Sequence, residues 1–196
     1  KPQLNAINYA KQLLKDNIDI TSHLIELSKG EQRQSFHFGH TFGNMMKNKY
    51  EFGSKILESF LSVKNTERNI DLFSGFLAGI ENEETIRKLY EKFLRDTDEP
   101  SFAFQLIKYI NPELEDFLNL IKLCKDNSLH ISNFLSFSYG YNFKNLDDEE
   151  IKNLLNEISK YNSLGKWTCI SLIYTMTFRD NSEWSTYRDI AISIIQ

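Results

Sequence analysis

The sequence predicts an all-α protein, built as an α-solenoid of about six stacked helical hairpins. Three observations predict it. Apolar residues recur with a helical period along nearly the whole chain, and no stretch alternates as a half-buried strand does. Three prolines and eight glycines are too few for a β-sandwich with a turn every ten residues or so. A small–xxx–small pair recurs at roughly the length of one two-helix repeat. An irregular helical bundle is the alternative packing of the same helices.

The first segment carries Leu4, Ile7, Tyr9, Ala10, Leu13 and Leu14. These spacings make an amphipathic helix from the start. The stretch "SFHFGHTFGNMM", residues 35–46, follows with two histidines among aromatics and glycines. "ETIRKLYEKFLR" then places Ile86, Leu89, Tyr90, Phe93 and Leu94 on one stripe. "PELEDFLNLIKLC" repeats the pattern with Leu114, Phe117, Leu118 and Ile121, and Pro112 suits a first helical turn, where its missing N–H costs nothing. "DDEEIKNLLNEIS" repeats it with Ile151, Leu154, Leu155 and Ile158, and Asp147 and Glu150 stand at capping-box spacing. Short polar joints such as "GIENEE", "RDTDEP", "KDNS" and "FRDNSE" separate these segments.

Aromatic-rich helices alternate with those stripes and carry the small pairs. Gly39 with Gly43, Gly75 with Gly79, Ser136 with Gly140, and Gly165 with Cys169 are the four; Ala103 in "SFAFQLIKYI" takes a similar place. Glycine within a helix costs about 1 kcal/mol relative to alanine. Its recurrence makes sense where helix backbones must approach closely. The expected hairpins run 3–29, 33–63, 67–96, 99–126, 128–161 and 163–196, one helical-repeat domain over residues 1–196. Stacking is required because a lone hairpin cannot bury its stripe. The pattern resembles the HEAT-like and armadillo-like α-solenoid families, although the HEAT proline and Asp/Arg positions and the tetratricopeptide signature are absent. By that resemblance, the region is a non-catalytic interaction, sensor or scaffold module, similar to helical repeats attached to bacterial NTPases and defence proteins.

Composition narrows the function. A formal charge of −4 argues against the whole chain being a nucleic-acid-binding surface. A HEAT-like grip on a duplex by clustered basic residues is the alternative reading. Cys124 and Cys169 stand alone in separate amphipathic segments and read as reduced, buried thiols of a cytoplasmic protein. No apolar run approaches the roughly 18 residues of a membrane span, and no signal peptide precedes the first helix. The final segment, with Ile190, Ile192, Ile194 and Ile195, stays apolar to the last turn. That is expected of a piece of a longer protein, one that self-associates through an uncapped end or docks its neighbour there, or of a tail docked on its own last helices.

Chemistry has one prominent candidate. "FGHTFGN" is similar to the "GHTxGH" motif of 3-dehydroquinate synthase, and the resemblance makes His40 a metal ligand. Asn44 stands where the motif has its second histidine, and the "HGE" ligand motif is absent. A helical metalloenzyme centred on His37 and His40 would need a third ligand from His23, His130 or a carboxylate, and no spacing selects one. The preferred reading is packing, with no cofactor and no catalytic residue. Neither a P-loop, a dinucleotide fingerprint nor a nucleophile elbow occurs. Arg87, Lys88, Glu91, Lys92 and Arg95 crowd one helix. They read as a solvated face with i,i+4 pairs and as the candidate interaction surface for a protein partner.

Overall fold

The computed structural model describes residues 2–16, 20–127, 129–138, 143–179 and 184–195. Among these residues the chain is helical with no β-strand, and an isolated antiparallel bridge joins Lys29 to Arg68. None of the described helices is long and apolar enough to cross a membrane. The chain divides into two compact units, Lys1–Ile110 and Asn111–Gln196.

The first unit contains α1 (Pro2–Lys15), α2 (Thr21–Leu27), α3 (Ser35–Met45), α4 (Lys49–Ser62), α5 (Asp71–Ala78), α6 (Glu83–Asp96) and the short α7 (Ala103–Leu106). Helices α1, α3 and α5 pack in one row and α2, α4 and α6 in another, with α4 also against α5 and α6 against α7. The bounds expected at 3–29, 33–63 and 67–96 each span two consecutive helices.

The contact between α3 and α5 is made by backbone. A β-carbon on Gly39 would collide with the Leu72 carbonyl and lie 2.7 Å from the Phe76 nitrogen. One on Gly75 would collide with the Phe36 carbonyl and lie 2.9 Å from the Phe36 α-carbon. Gly43 meets the Phe76 carbonyl and Gly79 the His40 carbonyl in the same way. The first two small–xxx–small pairs are therefore the two halves of a single crossing, and only glycine lets the chains come so near. Lys49 donates to the Gly43 carbonyl near the end of α3 (2.6 Å).

Aromatic rings fill the space around the crossing. Tyr9, Phe38, Phe42, Phe52 and Phe76 form a chain of neighbours with centroids 5.5 to 6.2 Å apart. A second run, Phe102, Phe60, Phe93 and Phe73, continues the core. On α6 the expected stripe is buried at Ile86, Leu89, Tyr90 and Phe93. On α1 the buried positions are Ala6, Ala10 and Leu13, while Leu4 and Tyr9 face outward.

The second unit contains α8 (Leu114–Asn127), a 3-10 segment (Ile131–Ser138), α9 (Asp148–Ser159), α10 (Ser163–Arg179) and α11 (Trp184–Ile195). Helix α9 packs on α8, α10 and α11, and α10 also covers the 3-10 segment. Phe117, Phe134, Phe137 and Phe143 form the aromatic cluster. The capping box at α9 is complete: Glu150 N–H donates to Asp147 Oδ1 (2.9 Å) and Asp147 N–H to Glu150 Oε2 (3.0 Å). Ile151, Leu154, Leu155 and Ile158 are buried as expected. A β-carbon on Gly165 would meet the Ile158 carbonyl, and the Cys169 thiol donates to the Leu155 carbonyl (2.9 Å), so the fourth small pair lies on the α9–α10 contact.

Three expectations fail locally, and the direction of Ile194, which periodicity leaves open, is settled. Segment 99–126 is not one hairpin: residues 100–110 make only short helical turns, and the boundary between the units follows Ile110. Ala103, Phe104, Leu106, Ile107 and Ile110 are all buried, while Ser101, Gln105 and Lys108 are exposed. Pro112 precedes α8 rather than entering its first turn, next to Asn111 at φ 47. Ser136 is exposed on a 3-10 segment, and its partner Gly140 lies outside the described residues. On α11, Ile194 turns inward with Tyr187 and Ala191, and Ile192 is the exposed isoleucine; the Ile195 side chain is outside those described.

Substituting Gly75 by Ala should lower stability by about 1–3 kcal/mol, despite alanine's helix preference. Gly53→Ala should cost less, because its β-carbon would meet the side-chain ends of Leu89 and Phe76 (2.6 and 2.7 Å) rather than backbone. Urea denaturation of both variants checks this; an equal loss in the two would count against a backbone-limited crossing.

Candidate interaction cleft

The joints α2–α3, α4–α5 and α6–α7 of the first unit are polar, and some of their backbone bonds run between joints. Gly30, at φ 55, turns the α2–α3 joint, a conformation natural to glycine. Its N–H donates to the Glu67 carbonyl (2.7 Å), and Asn69 N–H donates to the Ser28 carbonyl (2.9 Å). The Asn69 side chain donates to the Gly30 carbonyl (2.7 Å) and accepts from Asp71 N–H (2.7 Å), opening α5 with an Asx turn. One asparagine thus joins two joints and starts a helix.

Arg68 extends the tie to the α6–α7 joint. Its side chain is 5% exposed. Nε donates to the Val63 carbonyl (2.9 Å) and Nη2 to the Leu61 carbonyl (2.7 Å), capping the C-terminal end of α4. Nη1 bonds the Asp98 carboxylate and reaches Glu99 at 3.4 Å, while the guanidinium lies 5.3 Å from the Phe60 ring centroid. Asn65 donates to the other Asp98 oxygen (3.0 Å). Hydrogen bonds from Arg68 and then Asn65 hold the Asp98 carboxyl below its ordinary value.

These three joints enclose an open cleft of about 510 Å³. Glu31 and Arg33 come from the first joint, Thr66, Glu67 and Asp71 from the second, and Gln105 with Phe102 from the third. Among the described residues, the side chains of Glu31, Arg33, Thr66, Glu67 and Gln105 make no hydrogen bond or ion pair within the protein. The floor is held by the joint network, and the wall is solvated polar groups available to a ligand. Sequence reading passes over this site. The available signal was "NTERNID", whose Asn69-x-Asp71 spacing suits an Asx turn, but nothing local says that it meets "GEQR".

The residues singled out from sequence lie elsewhere. On the outer face of α6, Lys88 pairs with Glu84 (2.6 Å) and Lys92 with Asp96 (2.8 Å), both at i,i+4, and Arg95 also reaches Asp96 (2.9 Å). Hydrogen bonds to these carboxylates raise the Lys88 and Lys92 ammonium groups above their ordinary values. Arg87 donates to the Ile110 carbonyl (3.3 Å), and Glu91 is exposed. His40 is exposed, stacks on Phe36 and sits 3.1 Å from the Asn44 amide, while the His37 ring meets Phe36 edge-on. No three His, Cys, Asp or Glu side chains gather to hold a metal among the described residues. Burial pushes the Cys124 thiol up to about 11 and the Cys169 thiol up to about 12, so both stay protonated and unreactive at neutral pH.

Arg68→Met should cost about 2–4 kcal/mol at neutral pH, because two helix-end carbonyls and the facing carboxylates lose their donor. Asp98 sets the acid limb. Its folded-state pKa lies below the ordinary value, so its contribution is present above about pH 4 and disappears as the pH falls further. Melting curves from pH 7 to 3 should show wild type losing stability more steeply below pH 4 than Asp98→Asn. Superimposable acid limbs would remove Asp98 from the network.

No protein-family model matches the chain, and neither a curated protein nor a solved structure matches it.

Proposed function

We propose that the chain is a non-catalytic protein-interaction module whose first unit is a HEAT-like stack of three hairpins. The cleft at the hairpin joints takes the partner. Two features support the stack: the separate rows α1–α3–α5 and α2–α4–α6, and three hairpin bounds that each span two consecutive helices. The single observation that carries the binding reading is the cleft itself. Three successive joints contribute to it, its floor is cross-braced, and its wall side chains are spent on nothing within the protein. Binding surfaces built on loops over a rigid scaffold follow this plan. The second reading, a nucleic-acid grip, has less behind it. The α6 cations Lys88, Lys92 and Arg95 are each paired with a carboxylate of their own helix. Two unpaired, buried thiols favour a reducing compartment, the cytoplasm.

A photo-reactive phenylalanine analogue placed at Thr66 or Gln105 of the full chain should crosslink, in the native host, to a discrete protein species. The same analogue at Glu115, exposed on α8, serves as the comparison. Absence of any crosslink from both cleft positions would remove the cleft as the binding surface.

A further inference from the structure

The cleft does not stand alone. Beside it lies a smaller niche of about 130 Å³, lined by Tyr9, Leu13, His23, Glu26, Leu27 and Phe38. Gln32 lines both hollows, so the two adjoin there. The niche is apolar: Leu13 is buried at its base, Leu27 and Phe38 are half-buried, and Tyr9 meets Phe38 edge-on at 6.1 Å. Its volume suits one aliphatic or aromatic side chain rather than a drug-sized ligand. On its rim Glu26 is already paired with Lys29 (3.0 Å), which leaves the niche without a net electrostatic demand.

The larger hollow has the opposite character. Glu31, Glu67 and Asp71 line it, three carboxylates. Against them stand Arg33 and Arg68, and Arg68 is already neutralised by Asp98 and Glu99. The balance is acidic, which favours a cationic occupant. A bare metal ion does not fit: no three acidic, histidine or cysteine side chains converge among the described residues. Dispersed carboxylates around an open hollow suit a cation on a long side chain, whose charge several of them can share at a distance.

Resting on the interaction-module reading, we infer that this groove binds an extended basic segment of a partner protein. A Lys or Arg side chain enters the cleft between Glu31, Glu67 and Asp71, and a neighbouring apolar side chain fills the niche across Gln32. Extended chain advances about 3.3 Å per residue, so both anchors belong to one short stretch. The apolar anchor supplies burial, and the cation supplies selectivity and a salt-dependent attraction.

Dye-labelled capped peptides test it directly on the full chain. Each carries one Leu and one Arg, separated by none, one, two or three glycines, and binding is read by fluorescence polarisation at low salt. At least one spacing should bind. Affinity should fall fivefold or more when Arg is replaced by Glu, and likewise when Leu is replaced by Ser. On the protein side, Glu31→Gln with Glu67→Gln, or Gln32→Arg alone, should produce the same loss, and Glu115→Gln should leave binding unchanged. All these positions are exposed, and melting midpoints check the fold of each variant. If a variant fails to fold, the peptide replacements on the wild-type chain decide. Binding by no peptide, or equal binding of the Arg and Glu versions, overturns the inference. Should crosslinking at Thr66 persist while every peptide fails, the cleft serves a partner of different chemistry: the interaction reading stands and this inference falls.

Discussion

Backbone-to-backbone contact between α3 and α5 sets the geometry of the first unit. Gly39, Gly43, Gly75 and Gly79 remove the side chains that would keep the two helices apart. Gly39, Gly43 and Gly75 lie within two short helices, an unfavourable choice for helix formation alone at about 1 kcal/mol each, while Gly79 ends α5. Close packing offsets that cost through dense van der Waals contact and burial of the rings alongside. Phe52 of α4 stands against both Phe42 of α3 and Phe76 of α5, with ring centroids 5.5 and 5.7 Å away. The histidines of α3 fall into place as well. The His40 carbonyl is part of the crossing, while its ring lies at the surface beside Asn44.

With the rows set, the α2–α3, α4–α5 and α6–α7 joints come together around the cleft. Local turns satisfy part of the backbone of these joints, and other groups bond from one joint to the next. Asn69 and Arg68 do most of this. The planar side chain of Asn69 reaches the Gly30 carbonyl of another joint, and that of Arg68 ties the end of α4 to the Asp98 carboxylate. The cation–π contact with Phe60 anchors this polar network on the aromatic core below. A fixed floor with solvated walls is the outcome, and for this reason the cleft, rather than the paired charges of α6, is the better candidate for binding.

The second unit uses the same devices in a different arrangement. Gly165 and Cys169 bring α10 against α9, but α9 is central and is covered by α8, α10 and α11. The closing helix contributes Tyr187, Ala191 and Ile194 to this core, and Tyr187 lies 3.4 Å from the Asp148 carboxylate at the start of α9. Burial, with Asp148 nearby, pushes the Tyr187 hydroxyl up to about 12, so it stays protonated. An inward Ile194 explains why an apolar final segment need not be an exposed one.

What the sequence by itself determined is local. Helical periods named the buried stripes of α6 and α9, the Asp147–Glu150 spacing named a cap, and the glycine pairs named the places of closest approach. All of these follow from neighbours three or four residues apart, where helix geometry ties position to direction. Only tertiary structure decided which faces meet. Periodicity could not show that the first two glycine pairs were one crossing, that Tyr9 would turn outward while Ala6 turned in, or that residues 100–110 would break into short turns. Nor could it place Glu31 beside Glu67, since the bonds joining their loops span 37 to 41 residues and depend on the rows of helices between them. A pattern specifies a face; the partner of that face is chosen by shape and by non-local hydrogen bonds, which no short window of sequence contains.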